Sequence, residues 1–566
     1  MTEPENGFDE LCRRAVTAFL QTVVVIDNEA SLVSDASDKT VSPSPVAAAR
    51  KRATAPGKIA GGESETKAMP EKEREHASDT RGHRLELNKV SQAFAQQGLT
   101  CGVYLPTEKD PADQDELVRA TARAISPTDA CILDWQLKKG DSRPAVAAIK
   151  EVLKNDAQEG GRLRLILIYT AEKLEDAAPN LIRALREDGH QITDDYYEEA
   201  PIVVGDHFRI IFINKPTLGR TPDDDAAVVP WNLLPQRVIS EFTVLSKGLL
   251  RAFALQSVAG VRRDMHRILA QFDEELDPVY AGDRATKTDP DDAGRLMIEV
   301  LQSELALSIA ESQAEQKVLG AESCILWLHS RADRLPADKK ISVIKREGSL
   351  DDISTLNTEA RKLLLTDGFR DVTKADGKHA SVSRSFFEDE DSWKRYSSDY
   401  AVLTTIAHHS GDRVGRPPSG IPILQFGTVI DDDDQILLCI QPACDTVRLQ
   451  GETAFLFLRL IPEESKFDLV LPDDDGGARY QIPDGGKFKH LRELKTLRFE
   501  PQADTDVIVA RQNESGKNYF YDAQGVQWQW RAQLREMTAV HLAQRAINTI
   551  GRIGSNEFEW LRTNAK

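Results

Sequence analysis

Four residues of this 566-residue chain have the types needed to handle a phosphoryl group: Asp27, Asp134, Thr170 and Lys215. Each closes a short apolar run. Val23-Val24-Val25-Ile26 leads to Asp27, Ala130-Cys131-Ile132-Leu133 to Asp134, Leu165 to Tyr169 to Thr170, and Ile210 to Asn214 to Lys215. Carboxylates can hold Mg²⁺, a hydroxyl can hydrogen-bond a phosphoryl oxygen, and an ammonium can neutralise its charge. Singly these are weak signals, because acidic and hydroxyl residues at strand ends often only cap the next helix. Their ordered recurrence at four strand ends is what carries information.

The elements that must position them follow from periodicity. Short apolar, β-branched runs bounded by turn residues suit the core strands of a parallel sheet. The runs are Thr22–Ile26, Thr100–Leu105, Ala130–Leu133, Leu163–Ala171 and Arg209–Pro216. Between them, apolar residues at helical spacing predict helices over Leu87–Gln97, Asp115–Ile125, Pro144–Asn155 and Pro179–Glu187, with one more over Phe8–Leu20 before the first strand. Alternating strands and helices imply a right-handed, doubly wound α/β sheet, in which chemistry sits at the carboxyl ends of the strands. Residues 31–85 interrupt this pattern with small, polar and charged residues and four prolines, a composition that predicts a disordered insertion.

These motifs resemble the receiver domain of two-component response regulators, a flavodoxin-like fold. Val24 to Glu29 resembles the acidic-pair segment, Ile132-Leu133-Asp134 the phosphoacceptor, Tyr169-Thr170-Ala171 the switch threonine region and Lys215-Pro216 the lysine-proline pair. The resemblance covers Phe8 to about Leu218. It implies that Asp134 takes a phosphoryl group from a histidine kinase, with Thr170 and Lys215 completing the catalytic set. It also implies a Mg²⁺ site made by Asp27, Asn28, Asp134 and the backbone carbonyl of Gln136. Asn28 stands where the family usually carries a second aspartate, and its amide supplies no charge. The acceptor loop Gln136 to Gly140 also lacks the family's usual proline before the glycine.

Beyond Leu218 no standard output module follows. The expected division is a receiver over 1–218, a helical region over 219–345 and an α+β domain over 346–566 with a β-rich core and a C-terminal helix. A long helix is predicted over Val238–Leu276, stopped by Asp277-Pro278, and a second over about Asp291 to Gln316. In the first, Ala254, Val258, Val261, Met265, Ile268 and Phe272 form a stripe with spacings of four and three. It suits either the core of an antiparallel helix pair or a homodimer through residues 245–276. His266 on the same helix reads as a surface histidine. Residues 357–368 read as a capped helix, 372–393 as a loop, and 531–550 as a final helix followed by a docking tail at Phe558–Leu561. The short strands from Leu424 to Arg511, separated by Asp/Gly/Pro turns such as Asp431 to Asp434, predict a small barrel or sandwich.

Composition bounds the partners. A net charge of −19 argues against nucleic acid or an anionic membrane as a general partner, and no apolar run reaches the length of a membrane span. The six scattered cysteines read as reduced thiols, and the polar, acidic N-terminus points to the cytoplasm. The architecture resembles the effector-less receiver proteins of bacterial conflict systems, in particular the anti-phage defence system called Detocs. That resemblance implies a phosphoacceptor that controls signal flow, a kinase partner, a second response regulator or effector as a further partner, and no enzymatic activity beyond the receiver's own phosphotransfer and dephosphorylation. The alternatives are a DNA-binding transcriptional regulator, or an effector enzyme using Cys444 with His408-His409.

Overall fold

The apolar strand sequences assemble into one sheet because each has two faces to bury. In the computed structural model, which describes residues 5–28, 87–106, 114–197, 200–216, 227–335, 340–344, 350–369, 371–374, 381–409, 421–463, 467–472, 477–482, 494–502, 505–514 and 516–551, the chain divides into two compact units. One comprises 1–156 and 162–330, the other 157–161 and 331–566. The expected insertion over 31–85 and the tail at 558–561 lie outside the described residues.

The first unit runs α1 (Glu5–Phe19), β1 (Thr22–Ile26), α2 (Leu87–Gln96), β2 (Thr100–Tyr104), α3 (Gln114–Ile125), β3 (Ala130–Leu133), α4 (Arg143–Gln158), β4 (Arg164–Thr170), α5 (Leu174–Glu187), β5 (Thr193–Tyr197), β6 (Ala200–Val204) and β7 (Phe208–Asn214). The sheet order is β2-β1-β3-β4-β7-β6-β5. The first five strands of that order pair in parallel, as in a flavodoxin-like sheet. Every residue of β3, β4 and β7 is buried, which is why those runs are apolar except for Arg164, Thr170, Arg209 and Asn214 near their ends. The β5–β6 hairpin is an addition that the sequence reading passes over. It extends the sheet in antiparallel fashion. Thr193-Asp194-Asp195 carries no strand pattern, and as an edge its charges oppose pairing with another sheet.

Helices α6 (Leu234–Leu245), α7 (Leu249–Leu269), α8 (Asp277–Thr286), α9 (Asp291–Glu311), α10 (Ala314–Val318) and α11 (Ala321–His329) complete this unit. The single helix expected over 238–276 is interrupted at Gly248, whose φ of +151° glycine adopts far more readily than residues with a side chain. Pro278 opens α8 in its first turn, where the missing N–H costs nothing, instead of stopping α7. The second long helix ends at Glu311, short of Gln316, and Asp289 Oδ1 accepts from Asp291 N at its start.

Buried ion pairs fasten the helices to the sheet. Arg209 at the start of β7 donates to Glu241 of α6 at 2.7 Å, and both are buried. Arg164 of β4 makes a two-point contact with Asp156 at 2.8 and 2.7 Å and donates to the carbonyls of Ile125 and Thr128, both at 3.0 Å, which caps the end of α3. Asp129, just before β3, accepts from the backbone N–H of Gln21 and Thr22 at 3.0 and 3.1 Å and from Arg262 of α7 at 2.9 Å. The Arg262 guanidinium also lies 4.2 Å from the Phe19 ring centroid.

The second unit is mostly antiparallel. A three-stranded sheet β10-β8-β9 comprises β8 (Lys340–Ile344), β9 (Leu350–Thr355) and β10 (Asp371–Lys374), with α12 (Thr358–Asp367) between β9 and β10. Asn357 caps α12 by accepting from Ala360 N at 2.9 Å, as its sequence position suggests. Part of the segment read as a loop is instead α13 (Glu390–Thr405), opened by Asp389, which accepts from Ser392 N at 2.7 Å. A ten-stranded sheet joins β11 (Ile406–His409), β12 (Thr428–Asp431), β13 (Ile436–Cys439), β14 (Thr453–Pro462), β15 (Leu469–Leu471), β16 (Ala478–Gln481), β17 (Leu494–Phe499), β18 (Arg511–Gln512), β19 (Asn518–Tyr521) and β20 (Gln527–Leu534), followed by α14 (Glu536–Gly551).

Among the described residues no strand pairing closes this sheet, so the expected barrel is not formed. Its two faces are buried separately. Val429, Leu438, Leu458 and Ala532 pack with Leu542 of α14, and Ile430, Leu437, Phe457 and Trp530 form an aromatic-rich cluster. Arg531 to Leu534, expected in the final helix, belong to β20, where Trp528, Trp530, Ala532 and Leu534 are buried at the two-residue period of a strand.

Burial alone would raise the Asp129 carboxyl, but Arg262 and the two backbone N–H groups outweigh it and hold its pKa below the ordinary 3.8. A carboxylate lowered in the folded state contributes stability that is complete above its unfolded pKa and lost as pH falls through the folded value. Arg262→Met is therefore expected to cost about 2 kcal/mol at neutral pH, the scale of a hydrogen bond to a charged group. Urea unfolding across a pH series should show that gap steady down to about pH 4 and closing below it.

Candidate functional site

Parallel strands bring their carboxyl ends to one edge, and the sheet order sets Asp27 after β1 beside Asp134 after β3. Asp134 N donates to Ile26 O at 2.8 Å and Asp27 N to Tyr104 O at 3.4 Å, so both backbones continue the sheet to the point where their side chains emerge. Lys215 follows β7, and its N–H donates to Thr170 O at 2.8 Å.

The lysine joins the carboxylates. Lys215 Nζ donates to Asp27 Oδ2 at 2.7 Å and to Asp134 Oδ2 at 2.6 Å. All three side chains are more than nine-tenths buried. Burial pushes the Asp134 carboxyl above its ordinary pKa, Lys215 opposes that, and the neighbouring Asp27 charge reinforces it, leaving it raised. Burial also works against the Lys215 ammonium, yet the two carboxylates outweigh it and hold its pKa above the ordinary 10.5. The Tyr169 ring lies 5.8 Å below the ammonium, and its hydroxyl donates to Val229 O at 2.7 Å.

The remaining sequence-predicted residues surround this trio. Gln136 N donates to Asp134 Oδ1 at 3.2 Å, and the Gln136 side chain spans the rim, accepting from Gly140 N at 2.9 Å while its Nε2 donates to Glu172 Oε1. Thr170 is buried at the end of β4, where its Oγ1 accepts from Glu172 N at 3.1 Å. Asn28 directly follows Asp27 and is half-buried. Two contributors escaped the sequence reading. Asn214 Nδ2 donates to Thr170 O and Glu172 O at 2.9 and 2.7 Å, fixing the Thr170 loop to the strand that delivers Lys215. Glu172 closes the rim with Gln136. The available signal was position: a polar residue ending the apolar run Ile210 to Ile213, and an acid two residues past the threonine.

The donor set on this edge is carboxylate, amide and carbonyl oxygen, which suits a hard cation such as Mg²⁺ and not a thiolate- or imidazole-seeking metal. Among the described residues no group of three or more Cys, His, Asp or Glu side chains forms a ready-made metal cage.

The other candidates lie in the second unit. Cys444 is exposed and donates to its neighbour Asp445 at 3.4 Å, while His408 lies on β11, whose partner is β20. Asp431 of the acidic turn is committed to Arg531 at 2.9 Å and to Asp433 N at 2.7 Å. All six cysteines are unpaired thiols, and burial raises those of Cys131 and Cys439 to about 12. No helix among the described residues is long and apolar enough to cross a membrane.

Residues 19–220 match the family model described as the response receiver domain, which supports reading this stretch as a response regulator receiver. The match covers less than half of the chain. Neither a curated protein nor a solved structure matches it.

Removing the cation should expose what it holds together. Lys215→Met leaves two carboxylates facing each other in a buried site and is expected to destabilise by about 3–5 kcal/mol. Adding Asp27→Asn should restore part of that loss, giving a non-additive double-mutant cycle in urea unfolding. Simple additivity would contradict the geometry.

Proposed function

We propose that the chain is a response regulator protein that accepts a phosphoryl group on Asp134 from a histidine kinase in a two-component phosphorelay. The observation that carries this reading is the buried Lys215 ammonium shared by Asp27 and Asp134, at the carboxyl edge of the stretch matched by the receiver family.

In the transfer, an Asp134 oxygen attacks phosphorus, an O–P bond forms, and the P–N bond to the kinase imidazole breaks, the imidazole keeping the electron pair and taking up a proton. The ionised Asp134 is the nucleophile, and Lys215 favours that form against burial. As the phosphoryl charge arrives, Lys215 Nζ is placed to donate to its oxygens in place of a carboxylate. Thr170 has a hydroxyl proton to offer to the same group, and Asn214 holds the Thr170 loop in register with Lys215. Asp27, Asn28, Asp134 and the Gln136 backbone carbonyl are the oxygens that would hold Mg²⁺. When bound, Mg²⁺ offsets negative charge on the transferring group.

The role in the cell follows as part of the same proposal. The chain works in the cytoplasm and controls signal flow in bacterial anti-phage defence, as in Detocs, passing or withholding phosphate between the kinase and a second response regulator or effector. The receiver match over residues 19–220 supports the phosphoacceptor part of this reading.

Incubation with acetyl phosphate and Mg²⁺ is expected to add one phosphoryl group to the wild type by intact mass, none to Asp134→Asn, and none when the metal is chelated. Asn28→Asp restores a charge and should tighten Mg²⁺ by about tenfold. Labelling of Asp134→Asn at the wild-type level would overturn the assignment.

A further inference from the structure

Beyond the Lys215-Pro216 pair the chain comes back to the same edge of the sheet. Residues 227–229 run in parallel beside the end of β7, with Val228 opposite Asn214. Asn214 N donates to Ala227 O at 2.8 Å, and Val229 N donates to Asn214 O at 3.0 Å. The Tyr169 hydroxyl adds a third tie, donating to Val229 O at 2.7 Å. All three residues of this strap are buried. It leads through a short 3₁₀ helix, Trp231–Leu233, into α6, whose middle is anchored to the sheet by the Arg209–Glu241 pair.

The two residues that hold the strap each stand one position before a residue of the site. Asn214 precedes Lys215, and Tyr169 precedes Thr170. The two strand ends are also fastened to each other, since Asn214 Nδ2 and Lys215 N both donate to Thr170 O, at 2.9 and 2.8 Å. The Tyr169 ring lies 5.8 Å from the Lys215 ammonium. Close-packed neighbours on buried strands cannot shift independently of one another. A change in where Lys215 Nζ and the Thr170 hydroxyl point therefore reaches the strap through the residues directly before them.

We infer that this strap is the element that reads the site: it is docked while Lys215 bridges Asp27 and Asp134. A phosphoryl group on Asp134 draws Lys215 and Thr170 to its oxygens and releases the strap together with the first turn of α6. The inference rests on Asp134 as the phosphoacceptor and adds the route by which an occupied site changes the chain beyond it. Such coupling is reciprocal, so ties made in the resting state oppose occupancy as strongly as occupancy opposes docking. Weakening the strap favours the occupied site. The Tyr169 hydroxyl is thus a positioning group, acting on the strap and not on the transferring atoms.

Hydrogen–deuterium exchange of the full chain in Mg²⁺ tests this, with and without beryllium trifluoride, which mimics an aspartyl phosphate. Fluorine NMR of the same samples reports bound mimic. In the wild type the mimic is expected to speed exchange over residues 227–233, which include the Val229 amide, on the order of tenfold. Asp134→Asn is expected to show no change. Tyr169→Phe keeps the ring beside Lys215 and removes the hydroxyl. It is expected to speed exchange over 227–233 without the mimic, and to lower the mimic concentration for half-saturation about fivefold, the worth of one hydrogen bond. Bound mimic with unchanged exchange over 227–233 overturns the inference, as does a folded Tyr169→Phe that binds the mimic no more tightly. Should that variant fail to fold, the wild-type comparison decides. A wild type with no bound fluoride signal overturns the phosphoacceptor reading itself, and this inference with it.

Discussion

A single ammonium shared between two carboxylates in a site almost closed to water sets the terms for the receiver-like unit. Asp27 and Asp134 arrive from adjacent parallel strands, and without Lys215 their charges would oppose each other where water screens little. The chain therefore has to deliver the lysine from β7, two strands from β3 and three from β1 in the sheet, with the accuracy of a hydrogen bond. It does so with strands buried on both faces, with Asn214 fastened to the Thr170 loop, and with Tyr169 beneath the ammonium. The same trio places two carboxylates and a cation within one small volume, the arrangement from which the proposed phosphoryl transfer starts.

The opposite end of the sheet is held by the same kind of interaction with a different purpose. Asp129 and Arg209 lie at the amino ends of β3 and β7, and each is paired with a helix that follows the sheet in sequence. A strand such as β7 thus carries Lys215 at one end and an anchor for α6 at the other. Burial makes both ends intolerant of an unpaired partner, so the sheet and the helices beside it form one packed body.

Much of the sheet was legible in the sequence because strands buried on both faces must be mostly apolar, and the grouping of Asp27, Asp134 and Lys215 was legible because each residue directly follows a strand. Thr22–Ile26 and Ala130–Leu133 show this, each ending on its aspartate. The β5–β6 hairpin was not legible, since an edge strand such as Thr193–Tyr197 needs no apolar pattern. The ion pairs were equally hidden: Asp129 and Arg262 lie 133 positions apart, and no local periodicity links them. The break at Gly248 was marked by the glycine itself but outweighed by the apolar residues around it. In β20 the alternation of Trp528, Trp530, Ala532 and Leu534 was available, and reading the helix as starting at Arg531 cut across it. Closure of the β-rich sheet depends on which distant strands pair, and short strands with acidic turns do not specify that.

The central claim is that the Lys215 ammonium marks a phosphoryl site by holding its two carboxylates until the phosphoryl group takes its place. The most direct measurement is a crystal structure of the full chain with Mg²⁺ and beryllium trifluoride, a mimic of an aspartyl phosphate. The account predicts the fluoride group on an Asp134 oxygen, with Lys215 Nζ donating to a fluorine. Lys215 still bridging Asp27 and Asp134 with no fluoride density, under conditions that saturate a known receiver, would contradict it.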